Sequence, residues 1–249
     1  MSLPVIDKLS LAAPAFNEGA GIEAVTEDWV MYLRRQPAVR AFEIVICDDG
    51  SRDDTGAILD ALAQRYPEVR PVHHRANQGA AAALTTAIGH TTGDWVLLID
   101  SDGQFPISNL PAMLAAMGQN EAVIGARMAK QDSVFTRLGS SLSGSLCNWF
   151  HGTHYRDFNS AFKLVRGAAL RALPLEAKGL NYSGEITSKL LERGIAPAEV
   201  GIEHRVRERG ASSARRVRTA ADRLLFVLYV GFRQFLIRAR VLQGAPPCL

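Results

Sequence analysis

The feature that most constrains the fold is a regular alternation of short apolar runs and amphipathic segments in the first half of the chain. Five apolar runs are predicted strands: Leu9–Ala15, Phe42–Cys47, Val69–His73, Asp94–Asp100 and Ala122–Gly125. After the first run, Ile22, Val25 and Trp29 recur at helical spacing, and similar segments follow the later runs. This alternation predicts an α/β fold with an open, mainly parallel sheet flanked by helices. Right-handed crossovers would bring the loops that follow the strands to one edge of the sheet.

The second half of the chain has a weaker pattern. It predicts a helix at 134–150 interrupted at Gly139 and Gly144, a helix at 185–193, a strand at 200–206, a basic loop at 207–216, and a long basic helix or helix pair from 220 to about 242. The chain is therefore expected to form one domain over 1–215, followed by an amphipathic helical segment over 216–249.

Charge is concentrated near the C-terminal end. The net charge is +3, but the segment Glu203–Arg240 contains ten arginines and three acids, a net +7. This distribution predicts an anionic partner for that segment, and no nucleic acid is expected. Within it, Arg223–Arg238 is apolar with basic flanks, which suits a helix lying on a membrane surface. The alternative is packing on the domain or on a second subunit of a homo-oligomer.

Targeting features and cysteines point to the cytoplasm. The N-terminal residues lack the basic start and apolar core of a signal peptide. No window contains the roughly 18 uninterrupted apolar residues of a spanning helix. Three cysteines without metal-ligand spacing or a disulfide pattern fit a reducing compartment. We expect a cytoplasmic protein, peripheral at the cytoplasmic face of a membrane.

The fourth predicted strand ends in two aspartates. Asp100 and Asp102 are two residues apart, so their side chains would face the same side of an extended backbone. Two carboxylates held this close repel each other, and Mg²⁺ or Mn²⁺ with oxygen ligands suits such a position. Open α/β sheets bind ligands beyond the carboxyl ends of their strands, where this pair would lie. The alternative is a loop in which the aspartates make turn hydrogen bonds.

Two earlier loops carry polar groups at the same predicted edge. The backbone after Pro14 can form a floor for a flat base, and a carboxylate such as Asp49 can accept hydrogen bonds from base N–H or ribose hydroxyl groups. The stretch from Asp48 to Thr55 also suits a strand-to-helix turn with a good helix cap. Both interpretations can hold together.

In this order and spacing, Pro14–Glu18, Asp48–Thr55, Arg75–Gly79 and Asp100–Asp102 resemble the family-2 glycosyltransferases of the GT-A fold over roughly residues 9–130. The resemblance implies a Rossmann-like GT-A domain with a nucleotide-sugar half over about 1–130 and an acceptor half over about 131–215. It implies that Asp102, supported by Asp100, holds the metal. It also implies a set of nucleotide-sugar-binding residues: Pro14, Phe16, Asn17, Glu18, Asp48, Asp49, Asn77, Asp100, Ser101 and Arg127.

Motifs in the second half of the chain resemble one group within this family. Arg156–Arg166 is similar to an Asp-x-x-Ser-Gly-Phe-Arg-x-x-Arg element of polyprenyl-phosphate sugar transferases of the dolichyl-phosphate mannose synthase type, with Ala161 for Gly and Lys163 for Arg. Arg207–Ser213 resembles their Arg-x-x-Gly-x-Ser-Lys loop, with Ser213 where Lys is common. Arginines suit the two-point grip of a phosphate. The implied acceptor-phosphate residues are Arg156, Ser160, Lys163, Arg207, Arg209 and Ser212.

The resemblance implies a metal-dependent inverting glycosyltransferase that moves a sugar from a UDP- or GDP-sugar to a polyprenyl phosphate of the dolichyl or undecaprenyl type. Asp102 would act on the leaving group through Mg²⁺ or Mn²⁺. One alternative is a family-2 transferase to a hydroxyl of a glycan or small molecule, with Asp157 or Glu185 as base. For Glu185, pairing with a nearby Arg is the competing interpretation. A non-catalytic nucleotide-sugar-binding protein is the alternative from another class.

Overall fold

A computed structural model describes residues 3–128, 134–176, 181–206 and 216–239. Within them the strands are β1 (Ile6–Ala15), β2 (Val39–Asp48), β3 (Val69–His73), β4 (Trp95–Leu98), β5 (Ala122–Arg127), β6 (Lys163–Arg166) and β7 (Ala198–Ile202). The α-helices are α1 (Ile22–Arg34), α2 (Thr55–Arg65), α3 (Ala80–Gly89), α4 (Leu110–Met117), α5 (Val134–His151), α6 (Gly167–Arg171), α7 (Tyr182–Glu192) and α8 (Arg216–Arg238). A short 3₁₀ turn at Ile107–Asn109 precedes α4.

These strands form one sheet in the order β3-β2-β1-β4-β6-β5-β7. β1 pairs in parallel with β2 and β4, β2 with β3, and β5 with β7. β6 is antiparallel to both of its neighbours, with Lys163 opposite Leu98 on β4 and Ile124 on β5. The prediction of a mostly parallel open α/β sheet is therefore confirmed.

The central strands are buried on both faces, as expected when helices cover both sides of a parallel sheet. Side chains alternate between the two faces along β1. Leu11 belongs to a core that includes Trp29 of α1, whereas the next residue, Ala12, belongs to a core that includes Leu84 of α3 and Ile186 of α7. The sheet therefore lies between two packed helix layers, and these fix the position of its carboxyl edge.

Some elements differ from their predicted form, and the C-terminal segment takes one of its two predicted forms. α5 runs from Val134 to His151 without the interruption predicted at Gly139 and Gly144. A helix tolerates an internal Gly at a cost of about 1 kcal/mol, which tertiary packing can outweigh. The strand predicted at 200–206 is β7, which begins and ends earlier, at Ala198–Ile202. Most of the predicted basic loop, residues 207–215, lies outside the described residues. The C-terminal helix is a single helix in the described range, and none of the described helices is both long and apolar enough to span a membrane.

Glu43 links three strands at the amino edge of the sheet, opposite the predicted site. Its carboxylate accepts hydrogen bonds from Ser10 Oγ at 2.7 Å, Thr92 N at 2.6 Å and Arg70 Nη1 at 2.7 Å. Burial alone would raise the pKa of Glu43, but these hydrogen bonds outweigh it and lower the pKa to about 2. The ionised carboxylate therefore stabilises the folded state.

We expect Glu43→Gln to make the free energy of unfolding less dependent on pH below about pH 5. Because the pKa of Glu43 in the folded state lies below the unfolded value of about 4.3, its contribution to stability is complete above that value and is lost as the pH falls toward 2. Urea unfolding followed by circular dichroism between pH 3 and pH 7 measures this. The wild type should lose stability more steeply below about pH 5 than the variant, whereas Glu121→Gln, at an exposed position, should behave as wild type. Equal slopes in all three proteins would contradict the assignment.

Candidate active site

The loops after β1 and β2 meet at the carboxyl edge of the sheet, as predicted. The Asn17 amide donates to Ser51 Oγ at 2.9 Å, and Arg52 N donates to Asn17 Oδ1 at 2.8 Å. Asp49 N donates to the Ala15 carbonyl at 2.8 Å. Asn17 has a φ of 54°, a left-handed conformation in which Asn is enriched among non-glycine residues. The two loops therefore form one continuous wall.

Other residues of the first motif lie beside this wall. Phe16 and Glu18 are half-buried, and the Glu18 amide donates to Thr55 Oγ1 at 2.9 Å. The Glu18 carbonyl accepts the amide of Ile22, the first residue of α1. The motif thus connects the end of β1 to the starts of both α1 and α2.

Asp49 organises the loop at 74–79. Its carboxylate is only 1% exposed and accepts the amides of Gln78 at 2.9 Å and Gly79 at 2.7 Å. Asn77 Nδ2 donates to the same carboxylate at 2.8 Å, and His74 Nδ1 lies 2.8 Å from it. Four partners therefore hold the Asp49 carboxylate inside the protein, and Asn77 acts in this structure as one of them.

Asp48 stabilises the neighbouring turn by hydrogen bonds. Its carboxylate accepts Ser51 N at 3.0 Å and lies 3.1 Å from His73 Nδ1. Gly50 follows with a φ of 66°, and a Cβ at this position would lie 2.7 Å from the Ala76 backbone. The two loops thus pack closely enough to require glycine here. The contact of Asp48 or Asp49 with a nucleoside stays a prediction.

The two predicted metal ligands follow β4 at the same edge. Ser101 between them is buried and donates its Oγ to the Pro14 carbonyl at 2.7 Å, which ties this loop to the end of β1. Asp102 Oδ1 accepts Gln104 N at 3.0 Å. Burial and the neighbouring Asp102 raise the pKa of Asp100 to about 6. The pair is thus a site of unfavourable negative charge that a cation would relieve.

Tyr182 is a site residue that the sequence motifs did not reveal. It is the first residue of α7 in the acceptor half, and its hydroxyl donates to Asp100 Oδ1 at 2.6 Å. Burial, and then Asp100, raise the pKa of Tyr182 well above its ordinary value, so the phenol stays a donor. No local pattern distinguishes this tyrosine, because its partner lies 82 residues away in the chain.

Arg127 and Asp157 were predicted as separate functional groups, but they contact each other. Arg127 Nε donates to Asp157 Oδ2 at 2.7 Å, and Nη2 donates to Oδ1 at 3.1 Å. This is a two-point ion pair between the half-buried Arg127 at the end of β5 and the buried Asp157 in the loop before β6. Asp157 is therefore already engaged through both carboxylate oxygens.

Lys163 and Ser160 lie beneath the site rather than on its surface. The Lys163 side chain is fully buried on β6, and its ammonium donates to the Ser160 carbonyl and to Ser183 Oγ. Burial lowers the pKa of Lys163 to about 7. Ser160 is equally buried. Neither side chain reaches the surface in this structure, and their contact with an acceptor phosphate stays a prediction.

Glu185 is also paired inside the protein. Its Oε1 lies 2.9 Å from Lys189 Nζ and accepts the Glu176 amide at 2.7 Å. The side chains of Glu185 and Lys189 are both buried. This geometry favours the ion-pair interpretation over the catalytic one, with Lys189 in place of the expected Arg.

The remaining acceptor-side candidates are exposed or lie outside the described residues. Arg156 is exposed and pairs with Glu199 at 3.2 Å. Arg207, Arg209 and Ser212 fall outside the described range. The chain just before them is anchored beside the aspartates, because Arg205 N donates to the Gln104 carbonyl at 2.8 Å. Arg205, near the end of the described range that precedes the basic loop, therefore lies beside the turn that contains Asp102.

The donor set at this edge fits a hard divalent cation that also binds phosphate. Asp100 and Asp102 provide carboxylate oxygens, and the described residues contain no cluster of three His, Cys, Asp or Glu side chains that could hold a metal by themselves. Mg²⁺ in particular is usually held by one or two carboxylates together with substrate phosphates and water. The residues present therefore suit a cation shared with a bound diphosphate.

Comparison with known proteins gives a family match and several relatives. The family model described as "Glycosyl transferase family 2" matches residues 10–177. An undecaprenyl-phosphate 4-deoxy-4-formamido-L-arabinose transferase of Sodalis glossinidius is 30% identical over 176 residues, covering 70% of this chain and 53% of that protein. Its counterpart in Pseudomonas aeruginosa (strain LESB58) is 31% identical, covering 68% of this chain and 50% of that protein. The chain thus spans about half the length of these relatives.

Solved structures agree on the fold. Glucosyl-3-phosphoglycerate synthase from Mycobacterium tuberculosis, in complex with Mn²⁺ and UDP-glucose, superposes with a TM-score of 0.66 at 21% identity, covering 92% of this chain and 79% of that chain. At this identity the likeness concerns the fold, which is the GT-A arrangement expected from the motifs.

Proposed function

Because this chain belongs to glycosyl transferase family 2 and is a glycosyltransferase, we propose that it takes a sugar from a UDP- or GDP-sugar and transfers it, with inversion, to a polyprenyl phosphate. The acceptor oxygen would attack the anomeric carbon from the face opposite the diphosphate. The bond to the nucleoside diphosphate breaks as the new bond forms.

The donor side of the proposal rests on the convergence of three loops at one sheet edge. The Asn17 loop, the Asp48–Gly50 turn and the Asp100–Asp102 pair are joined by hydrogen bonds through Ser51 and Ser101. Such an edge is where open α/β sheets bind nucleotides. A structural neighbour carries UDP-glucose and Mn²⁺, which supports this class of donor.

The cation would be held by Asp102 and Asp100. Bound there with the diphosphate, Mg²⁺ or Mn²⁺ supplies Lewis-acid stabilisation of the departing nucleoside diphosphate. The protein's own contribution is to fix the two carboxylates, through Ser101 to β1 and through Tyr182 to α7.

The proposed phosphate acceptor rests on one observation: both candidate catalytic bases are already ion-paired. A hydroxyl acceptor needs a base to take its proton. Asp157 is paired with Arg127, and Glu185 is paired with Lys189. A phosphate oxygen is already anionic at neutral pH and needs no such base. The relatives named for transfer to undecaprenyl phosphate support the same acceptor class.

A panel of nucleotide sugars tests the proposal directly. The enzyme is incubated with UDP- and GDP-sugars and Mn²⁺ or Mg²⁺, with a short-chain polyprenyl phosphate or with hydroxyl acceptors such as phosphoglycerate. We expect sugar transfer only with the lipid phosphate and a divalent cation. Transfer only to a hydroxyl would overturn the acceptor assignment. Donor binding without transfer or hydrolysis would favour a non-catalytic role.

We expect Tyr182→Phe to weaken cation-dependent nucleotide binding by about tenfold, because it removes a hydrogen bond to a carboxylate worth about 1.5–3 kcal/mol. Isothermal titration of UDP in the presence and absence of Mn²⁺ measures this, alongside KM and kcat for the donor. Tyr229→Phe is a matched control, since Tyr229 OH also donates to a carboxylate at 2.6 Å, on Glu176. Equal nucleotide affinity in both variants and the wild type would show that Tyr182 has no positioning role.

A further inference from the structure

Large apolar side chains are exposed mainly on two helices. In the part of the chain that the structure describes, eight of the twelve exposed large hydrophobic residues lie on α5 and α8: Leu142, Leu146, Trp149, Leu224, Leu225, Leu228, Phe232 and Phe235. Single exposed apolar residues are ordinary on protein surfaces, but a concentration of this kind marks an interaction site.

On α8 the exposed residues form a stripe opposite the buried one. The buried positions are Phe226, Val227, Val230, Gln234 and Ile237. At about 100° per residue, the exposed Leu228, Phe232 and Phe235 lie on the far side of the helix from them. α8 is therefore apolar on the side that packs on the protein and again on the side that faces away from it.

α5 has the same arrangement. Leu142, Leu146 and Trp149 are spaced by four and three residues and therefore share one face. Cys147 is on the packed side, where it joins a hydrophobic cluster with Val230 of α8. The two helices are thus packed on each other, and each turns an apolar stripe outward.

We propose that the outward stripes of α5 and α8 together form a docking surface for an anionic lipid bilayer. The segment Glu203–Arg240, to which α8 belongs, carries a net charge of +7 in the sequence, which is complementary to anionic lipids and disfavours close approach of a second copy of this segment. Basic residues near such lipids strengthen binding by electrostatic attraction. Tryptophan is enriched where a bilayer meets water, which suits Trp149 at the end of α5.

The same surface adjoins the acceptor half of the candidate active site. Gly184, in the first turn of α7, packs so closely on Phe226 that a Cβ there would lie 2.9 Å from its ring. Tyr182, which holds Asp100, begins the same helix. Docking through α5 and α8 would therefore bring the bilayer to the side of the site where a lipid phosphate is proposed to arrive, and this link rests on the proposed function.

Trp149 is a built-in reporter for the test. The protein has three tryptophans, of which Trp29 and Trp95 are buried while Trp149 is 72% exposed. Adding phosphatidylcholine vesicles that contain phosphatidylglycerol should shift the fluorescence of Trp149 to shorter wavelength and reduce its quenching by acrylamide. Phosphatidylcholine alone, or high salt, should reduce the effect. Trp149→Phe should abolish the shift. An unchanged Trp149 signal with vesicle-bound protein would overturn the role of α5.

Charge substitutions test both helices. Leu142→Glu on α5 and Phe232→Glu on α8 should each reduce vesicle flotation at least about tenfold, since each replaces an apolar side chain that the bilayer would bury with a charged one. Met31→Glu, at an exposed position on α1, should float as the wild type does. If both stripe variants float unchanged, the proposal is wrong. A concentration-dependent dimer that the same variants dissociate would assign the surface to a second copy.

Transfer to a short, water-soluble polyprenyl phosphate without vesicles separates this inference from the proposed function. The stripe variants should keep wild-type rates in that assay and lose rate only with acceptor embedded in vesicles. Absence of transfer by the wild type in both assays would reject the acceptor proposal, whereas the fluorescence and flotation results would still decide the docking surface.

Discussion

Asp102→Asn is expected to lower the rate of sugar transfer by about a thousandfold, which is the scale on which removal of one preorganised electrostatic group acts. The amide keeps the size of the side chain and the hydrogen bond from Gln104 N to Oδ1, but removes the charge that would hold a cation. The strand and its neighbours should fold normally. The change should therefore appear in cation-dependent nucleotide binding as well as in turnover.

The measurement is a titration of UDP and of the donor sugar nucleotide with and without Mn²⁺, together with initial rates. Asp94→Asn is the matched control, because Asp94 is an exposed aspartate that directly precedes β4, at the end of the strand opposite to Asp102. It should retain wild-type affinity and rate. Unchanged Mn²⁺-dependent affinity in Asp102→Asn would refute the metal role of this residue.

Asp49→Ala should have the largest effect on stability, a loss of about 3–5 kcal/mol. The substitution removes the acceptor of the amides of Gln78 and Gly79 and of the side chain of Asn77, three hydrogen bonds that are partly buried. Hydrogen bonds to a charged group contribute about 1.5–3 kcal/mol each. Because the same contacts shape the loop at 74–79, nucleotide binding should weaken even at temperatures where the variant is folded.

Urea unfolding monitored by circular dichroism measures this loss, and nucleotide titration at low temperature measures the second effect. Asp7→Ala is the control, since Asp7 is an exposed aspartate whose carboxylate pairs with Arg40 at the surface. Exposed ion pairs of this kind contribute little. If Asp49→Ala unfolds at the same urea concentration as Asp7→Ala, the loop does not depend on this carboxylate.

Much of the fold could be predicted because its signals are local. The strand at Val69–His73 has the same bounds in the sequence pattern and in the structure, and the helix after Asn17 begins at the predicted Ile22. The antiparallel β6 was not predicted to lie between β4 and β5. Its pairing of Lys163 with Leu98 depends on contacts between distant parts of the chain, which no local pattern encodes.

The candidate site was likewise predicted only in part. Motif order predicted that Asn17, Asp49 and Asp102 would lie on loops at one edge of the sheet, since the carboxyl ends of parallel strands meet there. It did not predict that Asp157 would pair with Arg127 or Glu185 with Lys189. Residue type shows that a group can ionise, whereas its role depends on which charges surround it after folding.

The sequence by itself determined the alternating elements, the family and the placement of Asp100 and Asp102 at the end of a buried strand, because each depends on short-range periodicity or a contiguous motif. Only the tertiary structure decided that Lys163 is buried, that Tyr182 holds Asp100, and that α5 and α8 expose apolar stripes. Burial and long-range hydrogen bonds arise when distant segments pack together. The free energy of a charged or apolar group is set by that packing.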